Sequence, residues 1–351
     1  MNICLFLPNW LGDVVMATPA IRAIRRWAGP QARIVGVLRP NLTGVLDGTD
    51  WLDETWCYHP RGDDPRWKTP NLVRRLAAEK WDAAVLFPNS WRSALIAWLA
   101  RIPVRIGYGR HHRGRFLTHA LDWEYPREEG WKVPMVQYYL RLAETLGCPP
   151  ESSRLELKTT PQGEILAARV WQDLGLPKDG RVVAMHVGSA GASVKVWPAE
   201  YFEELARLIV SRTDHSVVLL CGPSERKIVR GIRRSVRDPR VVSLADQPLH
   251  ISLLKSCICR CGVCVSTDSG PRHVAAALGV PVITLLGPTP EELIANPFVR
   301  GMNLRVPLPC APCLRRTCRP GHHRCMRDMT PAWVWEQLSL LLVKEGAARA
   351  A

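Results

Sequence analysis

Residues 2–26 read NICLFLPNWLGDVVMATPAIRAIRR. An apolar run over 3–7 stops at Pro8, a glycine-containing turn follows, and apolar residues then recur at helical spacing. A strand, a turn and an amphipathic helix therefore succeed one another. In open parallel sheets the carboxyl ends of the strands border the ligand crevice. Asp13, which follows Gly12 in this turn, is either a helix cap or a working group, and one residue does not decide between them.

The same alternation continues outward from this stretch. Strands are expected over 34–38 and 83–87, with helices over 19–27, 72–79 and 93–100. A second series begins after the Pro- and polar-rich stretch around 158–163. There, helices over 164–174, 199–212, 226–235 and 250–256 separate strands over 182–186, 216–221, 241–243 and 261–267. Residues 268–288, DSGPRHVAAALGVPVITLLGP, form a compact helix and strand, with Asp268 or Ser269 before the helix, Pro271 in its first turn and Gly279 past its end. Strands alternating with helices indicate the α/β class with parallel sheets. The expected division is a doubly wound domain over 1–160, a second over 161–330 that includes a Cys-rich loop at 310–325, and a C-terminal helix and tail over 331–351.

The 351 residues, 47% apolar and 23% charged, are those of a globular chain of about two domains. No basic run precedes the short apolar start, and no uncharged apolar window approaches the ~20 residues of a membrane span. A cytoplasmic protein with its twelve cysteines reduced is expected. The net charge of +15, carried mainly by arginine, favours anionic partners: nucleic acid, phospholipid headgroups or phosphorylated sugars. The glycine fingerprint of dinucleotide-binding folds is missing after the first strand, and no P-loop signature occurs, which disfavours dehydrogenases and P-loop ATPases.

Three loops at expected strand ends of the second domain carry the chemistry instead: HVGSAGASVKVWP (186–198), CGPSERK (221–227) and STDSGPRH (266–273). Gly188, Ser189 and Gly191 are small enough for backbone amides to approach an anion, and the cation Lys195 follows. Ser269 and Gly270 stand at a helix N-terminus, where unpaired amides and the helix dipole favour phosphate. Two anion sites and a lysine suit a diphosphate. Taken singly, Asp268 reads as a cap and His273 as a packed histidine.

The segments NWLGDVVMATPAIRAIRR, KVWP and STDSGPRHVAAALGVPVITLLGPTPEEL resemble the ADP-heptose:lipopolysaccharide heptosyltransferases, of the heptosyltransferase II type, over residues 1 to about 345. The resemblance implies a GT-B fold, two Rossmann-like domains facing a central cleft, with the nucleotide sugar held by the C-terminal domain and the acceptor by the N-terminal one. It implies an inverting transfer that needs no metal for its chemistry. By resemblance, Asp13 matches the family's general base, Lys195 its phosphate-binding lysine, and Thr267, Ser269, Gly270 and His273 its diphosphate and sugar contacts, with Asp268 among them. The adenine pocket is then expected near 222–225 and 247–249, placing Glu225 and Leu249 in the donor site. ADP-heptose and an anionic lipid A–Kdo acceptor are the implied partners, met at the cytoplasmic face of the inner membrane by a monomer that binds no nucleic acid.

For that acceptor the sequence offers PNSWRSALIAWLARIPVRIGYGRHHRGR (88–115). Asn89, Ser90 and Arg92 directly follow a strand, and Arg110, Arg113 and Arg115 lie in the basic loop beyond. Guanidinium forks match carboxylate and phosphate oxygens in pairs. The other unusual segment is CAPCLRRTCRPGHHRC (310–325), whose Cys310, Cys313, Cys318 and Cys325 have spacing compatible with a structural zinc site or with plain packing. Cys257, Cys259, Cys261 and Cys264 read as buried structural cysteines. A basic nucleic-acid-binding protein with a zinc-ribbon-like tail would account for charge and cysteines, yet it leaves the Gly-Asp turn and the 266–273 loop without work. A GT-B enzyme for another sugar nucleotide stays open.

Overall fold

The computed structural model describes residues 1–122, 133–188 and 193–350, which divide into two compact units. Unit 1 comprises Met1–Lys158 and Glu292–Phe298; unit 2 comprises Thr159–Glu291 and Val299–Ala351. The C-terminal helix is thus part of unit 2, and a short later segment clusters with unit 1, where the Asn296 side chain donates to the Ser153 carbonyl at 2.7 Å.

Unit 1 is built on six parallel strands: β1 (Asn2–Phe6), β2 (Arg33–Leu38), β3 (Glu54–Cys57), β4 (Ala83–Leu86), β5 (Val104–Tyr108) and β6 (His119–Leu121), in the order β3-β2-β1-β4-β5-β6. Its helices are α1 (Leu11–Met16), α2 (Thr18–Ala28), α3 (Thr69–Ala77), α4 (Trp91–Leu99) and α5 (Met135–Leu146). The single helix expected after β1 is two. Pro19 has no amide to continue the first helix, and the freed Val15 carbonyl accepts the Thr18 hydroxyl at 2.7 Å instead. Ser90 caps α4 by accepting from the Ser93 amide at 3.1 Å, which starts that helix two residues before the expected position. Cys4, Phe6, Val35, Trp56, Leu86 and Ile96 belong to one apolar cluster of the unit.

Unit 2 runs α6 (Pro161–Asp173), β7 (Val182–His186), α7 (Ala199–Arg212), β8 (Ser216–Leu220), α8 (Arg226–Val236), β9 (Val241–Ser243), α9 (Ile251–Cys259), β10 (Val263–Thr267), α10 (Gly270–Ala277) and β11 (Val282–Leu286), then, after the short α11 (Glu291–Ile294) whose last three residues belong to unit 1, β12 (Gly301–Arg305), α12 (Arg324–Arg327) and α13 (Pro331–Ala350). Its strands are again all parallel, ordered β12-β11-β10-β7-β8-β9. Counted from the first strand of each unit, the two sheets have the same order, the doubly wound arrangement with one reversal point. The reversal falls between β1 and β4 in unit 1 and between β7 and β10 in unit 2.

Seven elements were not anticipated: α5, the short α11 and α12, and the strands β3, β5, β6 and β12. The last of these strands shows why its first residue is glycine. Gly301 has φ +117°, and a Cβ there would lie 2.0 Å from the Val282 carbonyl oxygen of the neighbouring strand. Gly301→Ala is expected to lower the unfolding free energy by on the order of 2–3 kcal/mol in a denaturant titration. An unchanged midpoint would show that β12 accommodates a side chain at this place.

Candidate functional site

In unit 1 the loop leaving β1 runs through Pro8, Asn9 and Trp10 into α1. Trp10 is the N-cap, extended at φ −123°, and no side chain caps the helix. Asp13 is the third helical residue, so it is not the cap that its place in the turn allowed. An acid in the first turn is favoured by the helix dipole, and its carboxylate accepts a hydrogen bond from the buried Tyr139 hydroxyl of α5. Burial, the nearby Asp13 charge and Tyr138 all push the Tyr139 phenol well above its ordinary value, so it remains a donor. Arg39 steadies the same loop, donating to the Asn9 side chain at 3.0 Å.

The neighbouring residue of α5 serves the other loop of the reversal point. Tyr138 hydrogen-bonds the Asn89 amide at 2.7 Å and stacks on Tyr108, ring centroids 4.0 Å apart and planes 9° apart. Asn89 and Ser90 therefore stand after β4 as expected. Arg92 is exposed in the first turn of α4 and hydrogen-bonded to Tyr58, while Arg110 is half-buried and close enough to Tyr138 to bias its phenol.

Arg113 departs from expectation. Its side chain is fully buried, and its guanidinium donates to the carbonyls of Tyr108 (2.6 Å), Pro88 and Ser90 (3.1 Å). Burial pushes it down to about 10. With Nε and Nη1 committed to these carbonyls, Nη2 turned to Asn89 Oδ1 at 3.4 Å and the whole side chain buried, Arg113 pins the loops after β4 and β5 and presents no guanidinium fork at the surface. Arg115, exposed, lies over the Phe116 ring at 5.1 Å.

In unit 2 the spacing of KVWP acquires a reason. Trp197 is fully buried and donates its indole N–H to the Met329 carbonyl at 2.8 Å, so the chain is anchored two residues beyond Lys195, which ends a short turn at Ser193–Lys195. The Lys195 ammonium meets Asp268 Oδ2 at 2.6 Å; the same oxygen accepts from Thr289 Oγ1 at 2.8 Å, and Asp268 Oδ1 lies 3.5 Å from His273 Nε2. Burial alone would raise the Asp268 carboxyl, but His273 and Lys195 outweigh it and hold the group well below the usual carboxylate range. His273, buried, is lowered by burial first and by Arg272 and Lys195 as well, against the pull of Asp268. Its Nδ1 accepts from the buried Arg272 guanidinium at 3.3 Å, so the proton of the neutral ring is on Nε2, facing Asp268. Arg272 also donates to Thr284 Oγ1 at 3.1 Å. The cluster therefore sets two cations against one carboxylate.

The other donor candidates frame it. Thr267 gives its hydroxyl proton to the Gly188 carbonyl at 3.1 Å, tying the loop after β7 to the end of β10. Gly188 is pressed by Glu225: a Cβ would come within 2.2 Å of that carboxylate, which accepts from the Gly222 amide at 2.5 Å. Leu249 is half-buried against the unit's core, and Arg226 holds the adjoining loop through the Gln247 carbonyl at 3.1 Å. Ser269 is the N-cap of α10 without capping it, and Gly270 is the first helical residue. Ser189 and Gly191 lie outside the described residues.

The cysteines sort by burial. Cys257, Cys261 and Cys264 are buried, but Cys259 is exposed at the end of α9. In the Cys-rich loop Cys310 is exposed, Cys313 and Cys318 are half-buried, and Cys325 packs into the unit's core beside Met326, against Gly287. Cys310 Sγ and His322 Nε2 are 3.9 Å apart. Among the described residues no three His, Cys, Asp or Glu side chains are grouped to hold a metal ion.

Sequence comparison matches residues 70–323 to glycosyltransferase family 9 (heptosyltransferase). Lipopolysaccharide heptosyltransferase 2 of Salmonella typhimurium is 25% identical over 357 residues, 99% of this chain and 100% of that protein. Lipooligosaccharide heptosyltransferase 2 of Campylobacter jejuni is 22% identical over 355 residues, 97% of this chain and 99% of that protein. The structure of Escherichia coli ADP-heptose lipopolysaccharide heptosyltransferase II superposes with a TM-score of 0.79 at 24% identity, over 99% of this chain and 100% of that one. A glycosyl transferase family 9 protein from Veillonella parvula gives 0.80 at 21% identity, over 98% and 97%. The architecture is thus the GT-B one that the resemblance implied. With the family match spanning more than half of the sequence and including Lys195, Asp268 and His273, the chain belongs to glycosyltransferase family 9, the heptosyltransferases.

Proposed function

We propose that this glycosyltransferase moves heptose from ADP-L-glycero-D-manno-heptose to the inner core of lipopolysaccharide, on a heptosyl-Kdo-lipid A type acceptor, in one inverting displacement. The observation that carries this reading is the correspondence along 99% of the chain with proteins curated as lipopolysaccharide heptosyltransferase 2. The acceptor hydroxyl oxygen bonds to the anomeric carbon as the bond from that carbon to the diphosphate oxygen breaks. The hydroxyl proton passes to the Asp13 carboxylate, held by Tyr139, and the electron pair leaves with ADP. Lys195 and the amides opening α10 stabilise the charge growing on the diphosphate. An ammonium carries three donors, so Lys195 can keep Asp268 and still bind a phosphate oxygen. Arg92 and Arg110 donate to the anionic groups of the acceptor. No described helix is long and apolar enough to cross a membrane, and the charge of +15 suits work at the anionic cytoplasmic surface of the inner membrane.

Mass spectrometry of the acceptor after incubation with ADP-heptose, other ADP-sugars or UDP-sugars tests the reading. One heptose added from ADP-heptose alone is expected. A product from another nucleotide sugar would reassign the donor, and no product from any would contradict the proposal. Lys195→Ala is expected to weaken ADP binding by about 10- to 100-fold in calorimetry, the worth of a hydrogen bond to a charged group; unchanged affinity would remove Lys195 from the donor site. Because the Asp268 carboxyl is depressed in the folded state, its contribution to stability is present above the unfolded value of about 3.9 and is lost as pH falls below it. The gap in melting temperature between wild type and Asp268→Asn should therefore be present at pH 6 and narrow below about pH 4. A gap constant with pH would show that Asp268 does not titrate with folding.

A further inference from the structure

Serine at a helix N-cap ordinarily turns its oxygen to the amide of the second or third helical residue. At α10 the second residue is Pro271, which has no amide hydrogen, so the Arg272 amide is the one Ser269 would cap. The Ser269 hydroxyl makes no such bond. It lies 2.9 Å from Ser266 Oγ and 3.0 Å from His186 Nδ1.

Counting protons fixes the direction of these bonds. Ser266 donates its single hydroxyl proton to the Thr267 carbonyl at 2.9 Å, so towards Ser269 it accepts. The Ser269 proton therefore goes to Ser266, and the oxygen is left to accept from His186, whose ring proton must be on Nδ1. His186 is the last residue of β7 and 5% exposed, and burial pushes its imidazole down to about 4, so the ring is neutral and carries that one proton. Two polar partners on two adjacent central strands thus hold the cap side chain off its own helix.

We propose that His186 is a positioning residue of the nucleotide site: by donating to Ser269 it keeps that hydroxyl from capping α10 and leaves the first-turn amides, Arg272's above all, open to a phosphate oxygen of the nucleoside diphosphate. The inference rests on the donor-site reading above. His186 touches no substrate. Its effect passes through Ser269, so the two residues must be coupled: without the imidazole proton the hydroxyl swings to the Arg272 amide and competes with phosphate.

Titration calorimetry with ADP on the full-length protein tests this, with thermal melting as a control for folding. His186→Leu is expected to weaken ADP binding about fivefold or more, the scale of a capping bond. Adding Ser269→Ala to that variant removes the competing hydroxyl and should recover most of the loss, which a packing role for His186 would not produce. His186→Asn places an amide N–H where Nδ1 stands and should bind ADP as wild type does, whereas His186→Gln, which reaches the Nε2 place, should not; this pair decides the matter if the leucine variant does not fold. Wild-type affinity in His186→Leu, a double variant no tighter than the single, or equal affinity in the Asn and Gln variants would overturn the inference. Wild-type protein that binds no ADP would overturn the donor-site reading and this inference with it.

Discussion

Where a doubly wound parallel sheet reverses its strand order, the helices that follow the two central strands lie on opposite faces, so the loops leaving those strands part. The carboxyl ends of the strands and the N-termini of the next helices stay uncovered there and nowhere else in the sheet. The chain makes this arrangement twice, between β1 and β4 and between β7 and β10. Apart from Arg110, which follows β5, the groups assigned to the chemistry stem from those four strands. Asp13 follows β1 and Asn89 follows β4; Lys195 follows β7 and Asp268 follows β10. The two tyrosines of α5 brace the first pair of loops, one on each.

Electrostatics then distinguishes the two reversal points. In unit 2, Asp268, His273 and Arg272 are held almost without water and Lys195 closes the group, so removing the one carboxylate would leave the two cations uncompensated. Such clusters are poor devices for stability alone. Their excess of positive charge, beside an uncapped helix start, is what a leaving diphosphate requires. In unit 1 the only acid of the α1 turn is half-buried and oriented by a neutral phenol that stays protonated. In the proposed mechanism one unit supplies the proton acceptor and the other the anion binder.

Much of this was legible in residue order, because central strands of parallel sheets are buried on both faces and read as unbroken apolar runs. Strand β7 matches its expected bounds, as do α7 and β9. The strands that escaped notice lie towards the sheet edges, where burial is incomplete. Glu54, Thr55 and Trp56 of β3 alternate too briefly, Arg105 and Gly107 interrupt β5, and β6 is mostly exposed. Helix α5 did carry a signal, with Val136, Tyr139, Leu140 and Ala143 at helical spacing. Direction is what a sequence does not write. Arg113 looks like its neighbours in a basic loop yet points inward, Tyr139 looks like core yet reaches Asp13, and His186 ends an apolar strand with no sign that it faces Ser269. Those roles depend on χ angles and on residues distant in the chain.

The central claim is that the acid following the first strand takes the acceptor proton. Asn is isosteric with Asp and keeps a hydrogen-bonding oxygen for Tyr139, but it cannot accept a proton. Steady-state transfer by Asp13→Asn, measured with ADP affinity and melting temperature, is therefore the most direct test. The account predicts that kcat falls at least ~100-fold while affinity and melting temperature stay near wild type. Turnover close to wild type in the folded variant would contradict it.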